Sequence, residues 1–277
     1  MEFIKDKSLH LKQRNLMDNL FFLKTVEDKE AAEELIQLLI CNKRVKIIEN
    51  QSNKSLINIE NRSVALDLYC VDEEGKEYNI EVQRTKKDNA EEPTKRMRYN
   101  ISMMDTHTIE KGIKAKDLPE IYGIMISEFD PFGEGRLRYE IKRKIENSGK
   151  KTDNGIHEIY VFTRGKGDSD LKELVEFFEN SNGYNEKFPK LSKRVMYLKE
   201  DEKGMNEYLL TEEEFLAWAE KEGLKKGMKE GLKEGRKEGR NNTFLLVVKN
   251  MKSLNYTISQ IMEATGLSEK EIESLTV

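Results

Sequence analysis

The stretch Val64-Ala-Leu-Asp67-Leu-Tyr-Cys-Val-Asp-Glu-Glu-Gly75-Lys-Glu-Tyr-Asn-Ile-Glu81-Val-Gln83 decides the fold. Leu66, Leu68 and Cys70 alternate with Asp67 and Tyr69, and Tyr78, Ile80 and Val82 alternate with Asn79, Glu81 and Gln83. A period of two gives each strand one apolar and one polar face. Glu73-Glu74-Gly75 then reads as a three-residue hairpin loop whose glycine takes a positive φ. Such a loop sets Asp72 opposite Lys76, and counting back along both strands sets Leu68 opposite Ile80 and Asp67 opposite Glu81. Directly opposed residues share a face with Cβ atoms about 4.5–5.5 Å apart, so the two carboxylates can grip one ion. A two- or four-residue loop would shift the pairing by one and turn them to opposite faces.

That geometry suits a hard cation. Mg²⁺ takes oxygen ligands at about 2.0–2.1 Å, usually one or two carboxylates with water or substrate phosphate completing the shell. Its chemistry is to polarise a phosphoryl oxygen and to lower the pKa of a water it binds. Gln83 lies two residues beyond Glu81 on the same face, where its amide can orient a water or a phosphate. It is no base, since an amide does not titrate. The same alternation is also what a half-solvated hairpin without chemistry shows.

Outward from the hairpin the pattern is mixed. Leu16, Leu20 and Leu23, then Leu35, Leu38 and Leu39, recur at helical spacing and predict two amphipathic helices before Cys41. Val45 to Ile48 and Leu56 to Ile59 read as two short strands that join the hairpin in one antiparallel sheet. Met97, Ile101 and Met104 return to helical period between Pro93 and Gly112, predicting a crossover helix with Gly112 as C-cap. Ile121 to Ser127 reads as a buried strand, Leu137 to Ile141 and Ile156 to Phe162 as two more, and Leu171 to Phe178 as a helix. The fold class is α/β, a mixed sheet flanked by helices with a helical C-terminal extension.

The composition shifts after that helix. Thr211-Glu-Glu-Glu214 has capping-box spacing, so a long helix is predicted to start there. It runs into Gly223, Gly227, Gly231, Gly235 and Gly239, a period-four repeat. Each glycine costs a helix interior roughly 1 kcal/mol relative to alanine. Two readings stay open: a solvated helical linker, or a glycine ridge that lets another helix approach and supports a homo-oligomer. Farther on, Thr257 and Ser268 with Glu271 cap two short helices around Gly266, with Ile258, Ile261, Met262, Leu267, Ile272 and Leu275 as a small shared core, a helix-turn-helix pattern. Glu269, Glu271 and Glu273 with only Lys270 make it a poor reader of DNA. The domain boundaries expected are 1–185 for the core, 186–240 for the linker and 241–277 for the last segment.

Composition narrows the chemistry. The chain has 277 residues, 36% of them charged, and a net charge of only −4, so a polyanion partner requires a local basic patch. The N-terminal residues have no apolar run, and the longest one in the chain is Phe244 to Val248, which points away from export or membrane insertion. Cys41, Cys70, His10, His107 and His157 are too few and scattered for a disulfide framework or structural zinc. A soluble, cytoplasmic protein whose chemistry rests on carboxylates is the expectation.

At these residues the sequence resembles the PD-(D/E)XK phosphodiesterase superfamily, and within it the Rpn-type recombination-promoting nucleases also labelled putative transposases. The resemblance rests on Asp67 followed by Glu81-x-Gln83, with glutamine where most of the superfamily carries lysine. It extends through Glu34-Leu-Ile-Gln-Leu-Leu, Arg98-Tyr-Asn, Gly112, Ile121 to Ser127, Tyr160-Val-Phe-Thr-Arg-Gly-Lys166 and the glycine-repeat tail. Leu66 stands where the superfamily name has proline. The resemblance implies a restriction-endonuclease-like core and Mg²⁺-dependent DNA cleavage, with Asp67 and Glu81 as metal ligands, Gln83 in place of the lysine, and Glu34 as a helix carboxylate joining the metal site.

Basic residues follow: Arg84, Lys86, Lys87, Lys95, Arg96 and Arg98, then Arg136, Arg138, Lys142, Arg143 and Lys144. Near a carboxylate metal site they would neutralise DNA phosphates and make affinity fall with salt. The leading expectation is a Mg²⁺-dependent DNA endonuclease linked to recombination or mobile elements. Its rival is a catalytically silent DNA-binding or adaptor protein that keeps the fold.

Overall fold

The computed structural model describes residues 10–57, 63–84, 93–110, 112–167 and 170–274, in two compact units, Met1–Glu212 and Glu213–Val277. The first unit is organised by a six-stranded sheet. Its strands are β1 (Ile47–Ile57), β2 (Ser63–Asp72), β3 (Glu77–Gln83), β4 (Ile121–Ser127), β5 (Arg138–Ile141) and, after a separate two-stranded ribbon of β6 (Arg143–Lys144) with β7 (Lys151–Thr152), β8 (Ile156–Phe162). The spatial order is β1-β2-β3-β4-β8-β5. β1, β2 and β3 are antiparallel neighbours, β3, β4 and β8 run parallel, and β5 returns antiparallel on β8. Leu68 stands opposite Ile80, as the hairpin count requires, and Gly75 turns the loop at φ 78°.

Helices cover both faces. α1 (Asn19–Val26) and α2 (Lys29–Leu39) each start at an aspartate, Asp18 accepting from Phe21 N and Asp28 from Ala31 N. With α4 (Asp170–Glu179), α5 (Pro189–Glu200) and the start of α6 (Glu202–Ser253), they bury Phe21, Phe22, Leu35, Phe178, Leu191 and Tyr208 in one apolar cluster. That cluster packs on Leu68, Ile80, Val82 and Ile124. α3 (Pro93–Glu110) is the crossover between β3 and β4, and its Met97, Ile101 and Met104 form a second cluster with Leu66, Tyr69, Ile121 and Met125 on the other face. The fit is close at Gly123, where an added Cβ would lie 2.4 Å from Met97 Sδ.

Several expectations change. The two short strands predicted at Val45 to Ile48 and Leu56 to Ile59, of which residues 58–59 lie outside the described residues, are joined in one edge strand, β1, because its polar middle faces solvent and needs no apolar alternation. Pro189–Glu200, assigned to the linker, is built into the core through Leu191, Val195 and Leu198. The long helix begins at Glu202 rather than Thr211. Asp201 accepts from Lys203 N and Gly204 N there, while the Thr211 hydroxyl donates to Glu207 O inside the helix. Lys199 is buried and donates to the carbonyls of Lys12, Arg14 and Ser181; burial pulls its pKa down to about 8.

In the second unit, α7 (Ile258–Thr265) has a full capping box of Thr257 with Gln260 and ends at Gly266, and Ser268 pairs with Glu271 at the start of α8 (Glu269–Ser274). Its core is Val248, Ile261 and Ile272 with Met251 and Leu267 beside them. Ile258 and Met262 remain solvent-facing, and Leu275 lies outside the described residues. No described helix is long and apolar enough to cross a membrane.

Candidate active site

The β2–β3 ladder ends at Leu68–Ile80, and beyond that pair side chains take over from the backbone. Asp67 N donates to Glu81 Oε1 at 3.3 Å, and Val82 N donates to Asp67 Oδ2 at 3.0 Å. The carboxylates thus satisfy the two main-chain donors that the parting strands expose, which is how an acidic pair is tolerated at this depth. Local backbone geometry supports the break. Leu66 and Tyr69 belong to the α3-side cluster while Leu68 and Cys70 belong to the other, so the alternation of β2 is interrupted at Asp67. Across from it, between the pairs Ser52–Leu68 and Lys54–Leu66, Asn53 adopts φ 48°.

Glu81 is wholly buried and Asp67 is 8% exposed. Burial first, and the charge of Asp67 second, push the Glu81 carboxyl up to about 7, with Arg96 pulling the other way. Burial likewise raises Asp67, against the Val82 N–H and Arg96. Both shifts have the sign expected of two like charges sharing a desolvated site. Arg96, in the first turns of α3, donates from Nη2 to Glu81 Oε2 at 2.8 Å. Sequence grouped it with the phosphate-neutralising surface cations; the structure turns it inward. Its signal was its place beside Met97 on the flank of the helix stripe that faces the sheet.

The other predicted positions divide. Gln83 closes β3 two residues past Glu81, and its Oε1 is buried without a hydrogen-bond partner. Glu34 is not brought to the pair: its Oε2 accepts from Lys190 N and Leu191 N at 3.0 and 2.8 Å, satisfying the N-terminus of α5. Lys86 and Lys87 lie outside the described residues. Sequence reading also missed Asn79 and Asn100, at 0% and 1% exposure, whose amide atoms all lack partners.

Among the described residues no group of three or more His, Cys, Asp or Glu side chains could hold a metal. A divalent ion here would have two carboxylates and complete its shell with amide, water or substrate oxygens. The donor set fits a hard cation: all are oxygens, Asp67 Oδ1 meets no donor among the described residues, and the Gln83 Oε1 is orphaned.

A family model described as PD-(D/E)XK nuclease family transposase matches residues 19–222, most of the chain and all of the sheet. The chain belongs to that family. Its mixed sheet flanked by helices is the restriction-endonuclease-like architecture, and membership makes it a nuclease-type protein with DNA as the implied substrate. No curated protein and no solved structure matches the chain.

Proposed function

We propose that this PD-(D/E)XK family member is a Mg²⁺-dependent DNA endonuclease of the Rpn type, serving recombination or mobile elements in the cytoplasm. The observation that carries the reading is the bonded Asp67–Glu81 pair at the opening of β2 from β3, with the unpartnered Gln83 amide oxygen on the same strand. Asp67 and Glu81 would hold the ion, whose chemistry when bound would be to polarise the scissile phosphoryl group and lower the pKa of a water. Gln83 Oε1 would accept a hydrogen bond from the attacking water and aim it; as the water oxygen bonds to phosphorus its proton passes to solvent, since the amide cannot take it, and the P–O bond to the leaving sugar oxygen breaks with that oxygen taking a proton from solvent. The exposed β6–β7 ribbon, with Arg143, Lys144, Lys150 and Lys151, adds phosphate contacts. The nuclease module takes in the first compact unit, Met1–Glu212, including the core helix Pro189–Glu200, and the C-terminal segments serve assembly or DNA engagement.

One observation favours the silent DNA-binding alternative: Arg96 already occupies Glu81 Oε2. Purified protein with supercoiled plasmid separates the two. Nicking that requires Mg²⁺ and disappears in Asp67→Asn supports the nuclease; salt-sensitive retention of DNA with no nicking, and no thermal shift on adding Mg²⁺ or Ca²⁺, supports the adaptor.

A further inference from the structure

We infer that Arg96 is the second cation of the active site: Glu81 holds it ready, a divalent ion competes with it for Glu81 Oε2, and its guanidinium binds the scissile phosphate. The inference rests on the metal-dependent nuclease reading and adds a residue and a competition to it.

Three observations carry it. The first is occupancy. Both Glu81 oxygens are committed, Oε1 to Asp67 N and Oε2 to Arg96 Nη2, so a cation that takes Oε2 does so against the guanidinium. The second is unspent donor capacity. Arginine has five N–H donors in a planar fork that matches phosphate as well as carboxylate. Arg96 spends one on Glu81, and the other four meet no acceptor among the described residues. Its side chain is 31% exposed where that of Glu81 is 0%, so Arg96 forms the solvent side of the ion pair, the side from which a DNA strand arrives.

The third is charge. Two carboxylates, a dication and a phosphodiester sum to −1, and the substrate gains further negative charge as water attacks. Gln83 contributes nothing to offset this; Arg96 brings the sum to zero. The helix keeps the group within range, because Met97, the next residue, is seated directly on Gly123 of β4.

Wild type, Arg96→Gln and Arg96→Lys are compared by calorimetric Mn²⁺ titration without DNA and by plasmid nicking at saturating Mg²⁺, with thermal melts to establish that each is folded. Removing the competitor tightens Mn²⁺ binding by Arg96→Gln roughly three- to tenfold, and removing the phosphate cation lowers its saturated nicking rate roughly 100-fold. Arg96→Lys, which keeps charge but not the fork, stays near wild type in Mn²⁺ affinity and recovers the rate to within about tenfold. A purely structural Arg96 would not make the metal bind tighter when removed. Mn²⁺ affinity in Arg96→Gln equal to or weaker than wild type, or a saturated rate within about twofold of it, overturns the inference while leaving the nuclease reading standing. Wild type that neither binds Mn²⁺ nor nicks plasmid overturns both.

Discussion

Tyr78, Ile80 and Val82 on one side of β3 pack into the large apolar cluster with α1, α2, α4 and α5. On the other side the same strand presents Glu77, Asn79 and Glu81, all buried on the side that α3 covers. Thr108 of α3 donates to Glu77 and Arg96 to Glu81, while Asn79 and Asn100 keep unpartnered amides. The dry face supplies stability through area removed from water. The polar face holds desolvated charge and unmet hydrogen bonds, which cost stability and are kept where a ligand can satisfy them.

Four measurements would break or sharpen that contrast. The largest effect is on activity: Asp67→Asn should lower plasmid nicking by roughly 1000-fold or more, with no loss of thermal stability, because it removes charge and no packing. Next, Ile80→Ala on the dry face should cost about 2–5 kcal/mol in urea unfolding and leave the site's metal binding intact in the molecules still folded. Third is a pH effect. Folded Glu81 keeps its proton up to about 7, whereas the unfolded carboxyl titrates near 4.5. The folded state therefore holds the extra proton between those values, and metal-free stability should fall by about 3 kcal/mol as pH rises through that window. Asp67→Asn, which removes the repelling charge, should flatten the slope; an unchanged slope would mean that the two carboxylates do not interact. Smallest is Asn100→Leu, which deletes an unmet amide and should stabilise the metal-free protein by about 1 kcal/mol. A loss of that size instead would show the amide to be satisfied by a buried water.

What was legible in the sequence followed from short-range rules. Gly75 and the loop length fixed the hairpin register, and Met97, Ile101 and Met104 fixed which side of α3 faces the sheet. The remainder depended on partners far along the chain. Glu34 looked like a site carboxylate because its helix precedes the hairpin, yet its partners are 156 and 157 residues away. Arg96 sat in a run of basic residues, where only the third dimension separates an inward cation from a solvated one. The start of α6 was missed because Thr211 offers good local capping chemistry, while Asp201 and the buried Tyr208 decide the matter through tertiary packing. In the C-terminal unit Val248 completes the core from the preceding helix, out of reach of a motif read from residues 256–275.

The Lys199 ammonium ties residues 12 and 14 to 181, and Tyr208 sits edge-on to Phe21 at 5.7 Å. During synthesis the segment around residues 12–21 therefore waits, without its final neighbours, until residues 199–208 have left the ribosome. A nascent chain extruded only to residue 180 should still be cut around residues 12–21 by protease, and one extruded to residue 212 should resist there.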